Sequence, residues 1–146
     1  MSKGGVIGDV YLSSSISNHD RRIPIPGFSE YGVGSYTGFD VSEIAAELKY
    51  KSGVVSTANS LDHTEKDDEM MLLNKADVKD MEAAAIAWVA EQTKIPFCAL
   101  KVVTDLVDGG RPSQEEFLEN LASAAQSLQR ALPKVLDALI DARNKE

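Results

Sequence analysis

KDMEAAAIAWVAEQTKIPFCALKVVTDLVDGG, residues 79–110, is the stretch that decides the fold. It opens as a polar turn carrying Asp80 and Glu82. Ala83, Ala84, Ala85 and Ala87 then favour a helix by intrinsic propensity, and their small side chains let that helix lie close on a sheet. Met81, Ala85, Trp88 and Val89 share one face, and Gln92 and Lys94 end the helix before Ile95-Pro96. Phe97 to Val103 is apolar apart from Lys101, as expected of a central strand covered on both faces. Polar character returns at Thr104-Asp105, and Asp108-Gly109-Gly110 reads as a turn. Such a unit brings Glu82 and Asp105 to one end of a sheet although they are distant in sequence.

Working outward, Val54-Val55-Ser56 starts a strand after Gly53 closes the preceding unit. A polar exit follows from Thr57 to Asp62, then an acidic run from Asp62 to Glu69. Thr64 with Asp67 caps a short helix ending near Leu73, and the run reads as a solvated helix face rather than a metal site, since it lacks ligand spacing. Asp40 with Glu43 caps a helix striped by Ile44, Ala45 and Leu48. Residues 18–39 form a long irregular loop of the kind that is functional or ordered by a partner. Within it Gly32 to Gly38 is a near miss to a dinucleotide fingerprint, its third glycine one place late and no strand feeding it, and reads as turns. Val10 to Ile16 is a further strand. Downstream, Ser113 to Glu116 is a capping box opening a long amphipathic helix along Phe117, Leu121, Ala124, Ala125, Leu128 and Leu132. Pro133 should kink or restart it, and Val135, Leu136, Leu139 and Ile140 continue the stripe. Strands alternating with helices predict an α/β fold, with residues 1–146 as a single domain.

The 146 residues are 43% hydrophobic and 26% charged, ordinary composition for one domain with a full core. A formal charge of −8 disfavours nucleic acid and anionic membrane surfaces as partners. No apolar run approaches the roughly 20 residues that span a bilayer, and the opening MSKGGVIGDV lacks a secretory apolar segment. The lone cysteine, Cys98, lies in an apolar run and reads as a reduced core thiol. The cytosol is the expected address. No cofactor and no metal is expected: His19 and His63 are isolated, without the matched ligands of a zinc pattern. Nucleophile-elbow and phosphate-loop motifs are also absent.

In open α/β sheets, ligands gather at the carboxyl ends of strands. Asp105 stands at such an end. A carboxyl partly withdrawn from water keeps its proton to higher pH, as a general acid near neutrality requires. The competing reading makes Asp105 a turn cap for the amides of Val107 or Asp108. Glu82, in the first turn of its helix, is suited to holding paired sugar hydroxyls, or simply to complementing the helix dipole. Arg21-Arg22 is a basic point in an acidic chain and is expected to pair with nearby acids.

Several separated motifs agree in order with one family. Met81-Glu82-Ala83-Ala84-Ala85-Ile86-Ala87, Lys101 to Gly109, Arg111-Pro112 and Glu116-Phe117-Leu118 resemble 5′-methylthioadenosine nucleosidases. His19 to Pro26 and Tyr31-Gly32-Val33-Gly34 resemble the plant form of these enzymes. The resemblance covers essentially the whole chain and implies a purine nucleoside phosphorylase-like, three-layer α/β/α fold around a mixed sheet, usually dimeric. It implies that Asp105 is the general acid protonating N7 of adenine. It implies too that Met81 and Glu82 form the ribose site, that Leu61 contacts adenine, and that Lys79, Asp80 and Asn74 line the same pocket. The substrate implied is 5′-methylthioadenosine, cleaved by water to adenine and methylthioribose in methionine salvage.

Two departures qualify this. Ala58-Asn59 stands where the family usually carries Gly-Asp, which would reshape the floor of the adenine pocket. The chain also corresponds only to the family's C-terminal part. The expected fold is therefore partial, lacking its N-terminal strands and the water-activating glutamate. Three readings follow: a nucleosidase weak or inactive as this isolated chain, a non-catalytic fragment, or a nucleoside phosphorylase using phosphate. The expected association is a homodimer or pairing with a full-length homologue.

Overall fold

The computed structural model describes residues 4–144. Its elements are, in chain order, β1 (Val10–Asn18), α1 (Ser29–Val33), α2 (Ser42–Leu48), β2 (Lys51–Thr57), α3 (Glu65–Leu73), β3 (Val78–Asp80), α4 (Ala83–Thr93), β4 (Leu100–Val102) and α5 (Ser113–Arg143). The strand order is β3-β2-β1-β4. β2 and β3 run parallel whereas β1 and β4 run antiparallel. The fold is thus α/β with a mixed sheet. The backbone resolves into two compact units, one drawn from Met1–Leu12, Asp40–Ser52 and Leu100–Glu146, the other from Ser13–Phe39 and Gly53–Ala99.

In the second unit, β2 and β3 pair in the register Val55↔Val78, Ser56↔Lys79 and Thr57↔Asp80. Ile16 and Tyr36 form an antiparallel bridge, which ties the irregular 18–39 segment back to β1. The core is built from Ile16, Tyr36, Val55, Ala83, Ala84, Ala87 and Ala99, with Val78 and Phe97 against it. Alanine dominates this list because α4 lies on the sheet through its smallest side chains, which permits close backbone approach. The same closeness explains Gly38: a β-carbon there would stand 1.9 Å from the Phe97 carbonyl oxygen, the oxygen that accepts the Phe39 N–H at 2.9 Å.

In the first unit, the start of β1 pairs with β4 in the register Val10↔Val102, Tyr11↔Lys101 and Leu12↔Leu100. Gly8 N–H to the Val103 carbonyl (2.8 Å) and Val103 N–H to the Asp9 carbonyl (3.0 Å) extend that ladder. Helix α5 packs on β4 and on α2. Tyr11, Leu12, Val41, Ile44, Ala45, Ala124, Ala131 and Val135 are buried in this unit. Lys51 pairs with Asp9 and also donates to the Gly4 carbonyl.

The structure corrects several expectations. Lys79 and Asp80 form a strand, not a turn, because β2 supplies parallel backbone partners. The buried face of α4 is Ala83, Ala84 and Ala87, whereas Ile86, Trp88 and Val89 are about half exposed; steric closeness, not hydrophobicity, selects the face. The expected central strand is the three-residue β4 at the end of the strand order, only half-buried. Gly53 lies inside β2 rather than ending a unit, and a β-carbon on it would meet the Asp77 side chain at 2.8 Å. Residues 29–33 form a short helix in place of turns. Helix α5 runs through Pro133 without restarting, and its expected capping box does not form: Pro112 is the N-cap residue and makes no side-chain cap. The Thr64–Asp67 capping box of α3 forms as expected, and Lys94 ends α4 in the left-handed region.

The α4 packing gives a direct test. Ala84→Leu forces extra methyl groups into a close-packed site and should destabilise by about 1–3 kcal/mol. Ile86→Ala, on the exposed side, should stay within about 0.5 kcal/mol of the parent. Urea unfolding of the two variants reads the difference.

Candidate functional site

The parallel strands β2 and β3 end side by side at Thr57 and Asp80. There the Thr57 hydroxyl donates to Asp80 Oδ1 at 2.5 Å and accepts the Ala84 N–H at 3.0 Å. Asp80 Oδ2 accepts the Ala83 N–H at 2.9 Å. Two of the otherwise unpaired amides at the start of α4 are thereby satisfied, and a carboxylate sits where the helix dipole favours negative charge. Glu82 occupies the N-cap position itself, with φ −132° and ψ −33°, yet its side chain takes no part in capping. It stands just before the first turn, not in it. Met81 and Glu82 are both exposed at this strand exit.

The next polar exit, after β2, is fastened from both sides. Asp20 Oδ2 accepts both the backbone N–H (2.7 Å) and the side-chain amide (2.8 Å) of Asn59. Lys79 Nζ donates to the carbonyls of Ser60 (2.8 Å), Leu61 and Asp62 (2.9 Å). Leu61, whose carbonyl is the middle one of the three, keeps an exposed side chain. Asn74 is engaged further back, its amide donating to the Asn18 carbonyl at 2.9 Å and to Ser56 Oγ at 3.4 Å. Lys79, Asp80, Met81, Glu82, Leu61 and Asn74 therefore all fall in one unit, around the ends of β2 and β3.

Asp105 lies in the other unit, half-buried beyond the end of β4, and accepts from the Thr104 hydroxyl at 2.7 Å. The turn after it is closed without its carboxylate: Gly109 N–H reaches the Leu106 carbonyl at 2.9 Å, and Leu106 N–H donates to the buried Glu116 Oε2 at 2.9 Å. Glu116, the residue expected to close a capping box, instead holds the amide that follows Asp105. Arg111 instead holds Glu119 through two hydrogen bonds of 3.0 and 2.9 Å.

His19, isolated in the sequence and outside any zinc pattern, takes a structural place. It is fully buried, with Nδ1 3.0 Å from Ser56 Oγ and Nε2 buried without a partner among the described residues. Burial holds the imidazole below its ordinary value of 6.5; of the charges around it Asp20, Asp67 and Asp80 pull upward and Lys79 downward, and burial prevails. A lone histidine in a loop sequence carries no signal of this, because its partner Ser56 is 37 residues away. Arg22 does find an acid, Asp67, at 3.2 Å, while Arg21 lies over the Tyr31 ring at 6.0 Å. Among the described residues, no group of three or more His, Cys, Asp and Glu side chains is placed to hold a metal ion, and no helix is long and apolar enough to cross a membrane.

Residues 1–139 match the family profile of the phosphorylase superfamily. The chain belongs to that superfamily. It is 48% identical over 136 residues to a 5′-methylthioadenosine/S-adenosylhomocysteine nucleosidase of Arabidopsis thaliana, covering 93% of this chain and 54% of that protein. A second Arabidopsis thaliana protein, a 5′-methylthioadenosine nucleosidase, is 48% identical over 142 residues, 97% of this chain and 53% of its own length. A structure of the Arabidopsis thaliana 5′-methylthioadenosine nucleosidase in apo form superposes with a TM-score of 0.89 at 48% identity, covering 92% of this chain and 55% of that one. This member of the phosphorylase superfamily spans about half the length of the curated relatives it matches.

Two measurements probe the site's foundations in this superfamily member. Thr57→Val removes the hydroxyl that serves both Asp80 and the buried Ala84 N–H, and should cost about 1–2 kcal/mol in urea unfolding. For His19, the folded value lies below the unfolded one, so the unfolded chain takes up the proton first as pH falls. Its contribution to stability is therefore complete above 6.5 and declines below it. The urea midpoint should drop between about pH 7.5 and about pH 5.5, and His19→Gln should flatten that drop.

Proposed function

We propose that this chain acts on purine nucleosides as an N-ribosyl hydrolase, releasing adenine from 5′-methylthioadenosine. The observation that carries the reading is the 48% identity to two Arabidopsis thaliana nucleosidases across 93% and 97% of the chain. Three features of this chain support it. Asp80 and Thr57 supply the side-chain caps of α4, and Glu82, whose side chain makes no cap, stands exposed at the strand exit. Met81 and Leu61 present exposed apolar side chains beside and near that strand exit, suited to the faces of a ribose and a purine. Asp105 is half-buried, and the turn behind it is closed by Glu116.

In this mechanism Asp105 is the general acid that delivers a proton to N7 of adenine as the C1′–N9 bond breaks and its electron pair leaves with the base, while a water molecule bonds to C1′ and gives up a proton to solvent. Glu82 holds the ribose hydroxyls and, as positive charge builds on an oxocarbenium-like sugar, stabilises it electrostatically. Leu61 contacts the base, and Lys79, Asp80 and Asn74 shape the surrounding wall. The reaction fits methionine salvage in the cytosol. The Cys98 thiol suits a reducing compartment: burial pushes its ionisation upward, which keeps it protonated and inert. Residues 1–146 act as one domain, and the half-exposed Trp88 and Val89 suit association as a homodimer or with a full-length homologue.

Adenine release from methylthioadenosine, followed in the intact chain and in Asp105→Asn, tests the proposal. Whatever release the chain shows above the uncatalysed background should be lost in the variant and be independent of phosphate, which separates hydrolysis from phosphorolysis. A chain that binds neither adenine nor methylthioadenosine would sink the reading.

A further inference from the structure

Lys79 sits in β3 opposite Ser56, and its side chain reaches forward to the turn after β2. It meets three successive carbonyl oxygens there, those of Ser60, Leu61 and Asp62. An ammonium carries three N–H donors and no acceptor, so it can serve several carbonyls at once. In an extended strand neighbouring peptide groups point to opposite sides. Three consecutive carbonyls aimed at one point repel one another, and a cation at the focus offsets that repulsion. Asp20 holds the preceding residue of the same turn, Asn59, so the backbone is held continuously from Asn59 to Asp62.

We infer that Lys79 is a positioning residue: its ammonium sets the Ser60–Asp62 backbone, and through it the placement of Leu61, without itself touching the nucleoside. This rests on the reading of Leu61 as the adenine contact, and it changes the part given to Lys79 from pocket wall to loop clamp. Lysine, with its flexible four-carbon stem and point charge, can converge on three carbonyls. Methionine matches its reach without the charge, and arginine keeps the charge with a different donor geometry.

The test compares the intact chain with Lys79→Met and Lys79→Arg by amide hydrogen exchange over residues 60–63, adenine affinity, and turnover of methylthioadenosine. In Lys79→Met, exchange at 60–63 should accelerate by about tenfold or more, and adenine Kd and KM should rise about tenfold, with kcat changed by less than about threefold. Lys79→Arg should recover most of the loss in all three. Unchanged exchange in Lys79→Met would overturn the inference. So would a fall in kcat with KM and exchange untouched, since Lys79 would then act on the reacting sugar directly. If the unmodified chain binds no adenine, the nucleosidase reading fails on that result, while the exchange rates still decide whether Lys79 holds the loop.

Discussion

The link between Thr57 and Asp80 is the constraint on which the rest of the Ser13–Phe39 and Gly53–Ala99 unit depends. One hydroxyl and one carboxylate join the ends of two parallel strands and receive the first amides of α4. A helix that begins against a sheet buries those N–H groups, and unpaired buried amides cost about 1–3 kcal/mol each. Thr57 is itself buried, so its hydroxyl is worth more there than on a surface, where water would serve as well. With the start of α4 fixed in this way, the positions of Met81 and Glu82 are determined by the two residues on either side of them.

The second constraint is the thinness of the layer between α4 and the sheet. Alanines at 83, 84 and 87 set that thickness, and Gly38 meets the same demand where the chain passes the Phe97 carbonyl. Placing small residues inside displaces the larger ones: Ile86, Trp88 and Val89 stand on the outer side of α4. The arrangement trades apolar burial for close approach and a well-defined strand exit. Buried apolar area alone would have favoured the opposite face.

Around the exit, most polar groups hold other parts of the protein in place. The half-buried Asn74 and the buried Ser56 and His19 form a connected group, Asp20 grips Asn59 and Arg22 meets Asp67. These bonds join the 18–22 segment to the exit of β2 and to α3, so an irregular stretch rich in Pro and Gly acquires fixed anchor points. In the other unit Glu116 plays a comparable part, its buried carboxylate holding the amide that follows Asp105. Side chains that touch substrate in the proposed reaction are thus outnumbered by side chains that orient them.

The residues taken in order were enough to place β1, β2, α3 and α4 and to read the Thr64–Asp67 cap. Local patterning governs those features: alternating or helical periodicity, and capping within one turn. What the order of residues left undecided depended on partners distant in the chain. Val78–Asp80 became a strand because β2 lies beside it, not because of its own propensity. The buried face of α4 followed from how near the sheet lies. His19, Lys79 and Glu116 took their roles from Ser56, the Ser60–Asp62 carbonyls and Leu106, each between 10 and 37 residues away. A hydrogen bond between side chain and distant backbone leaves no periodic trace in a sequence, so only the folded chain reveals it.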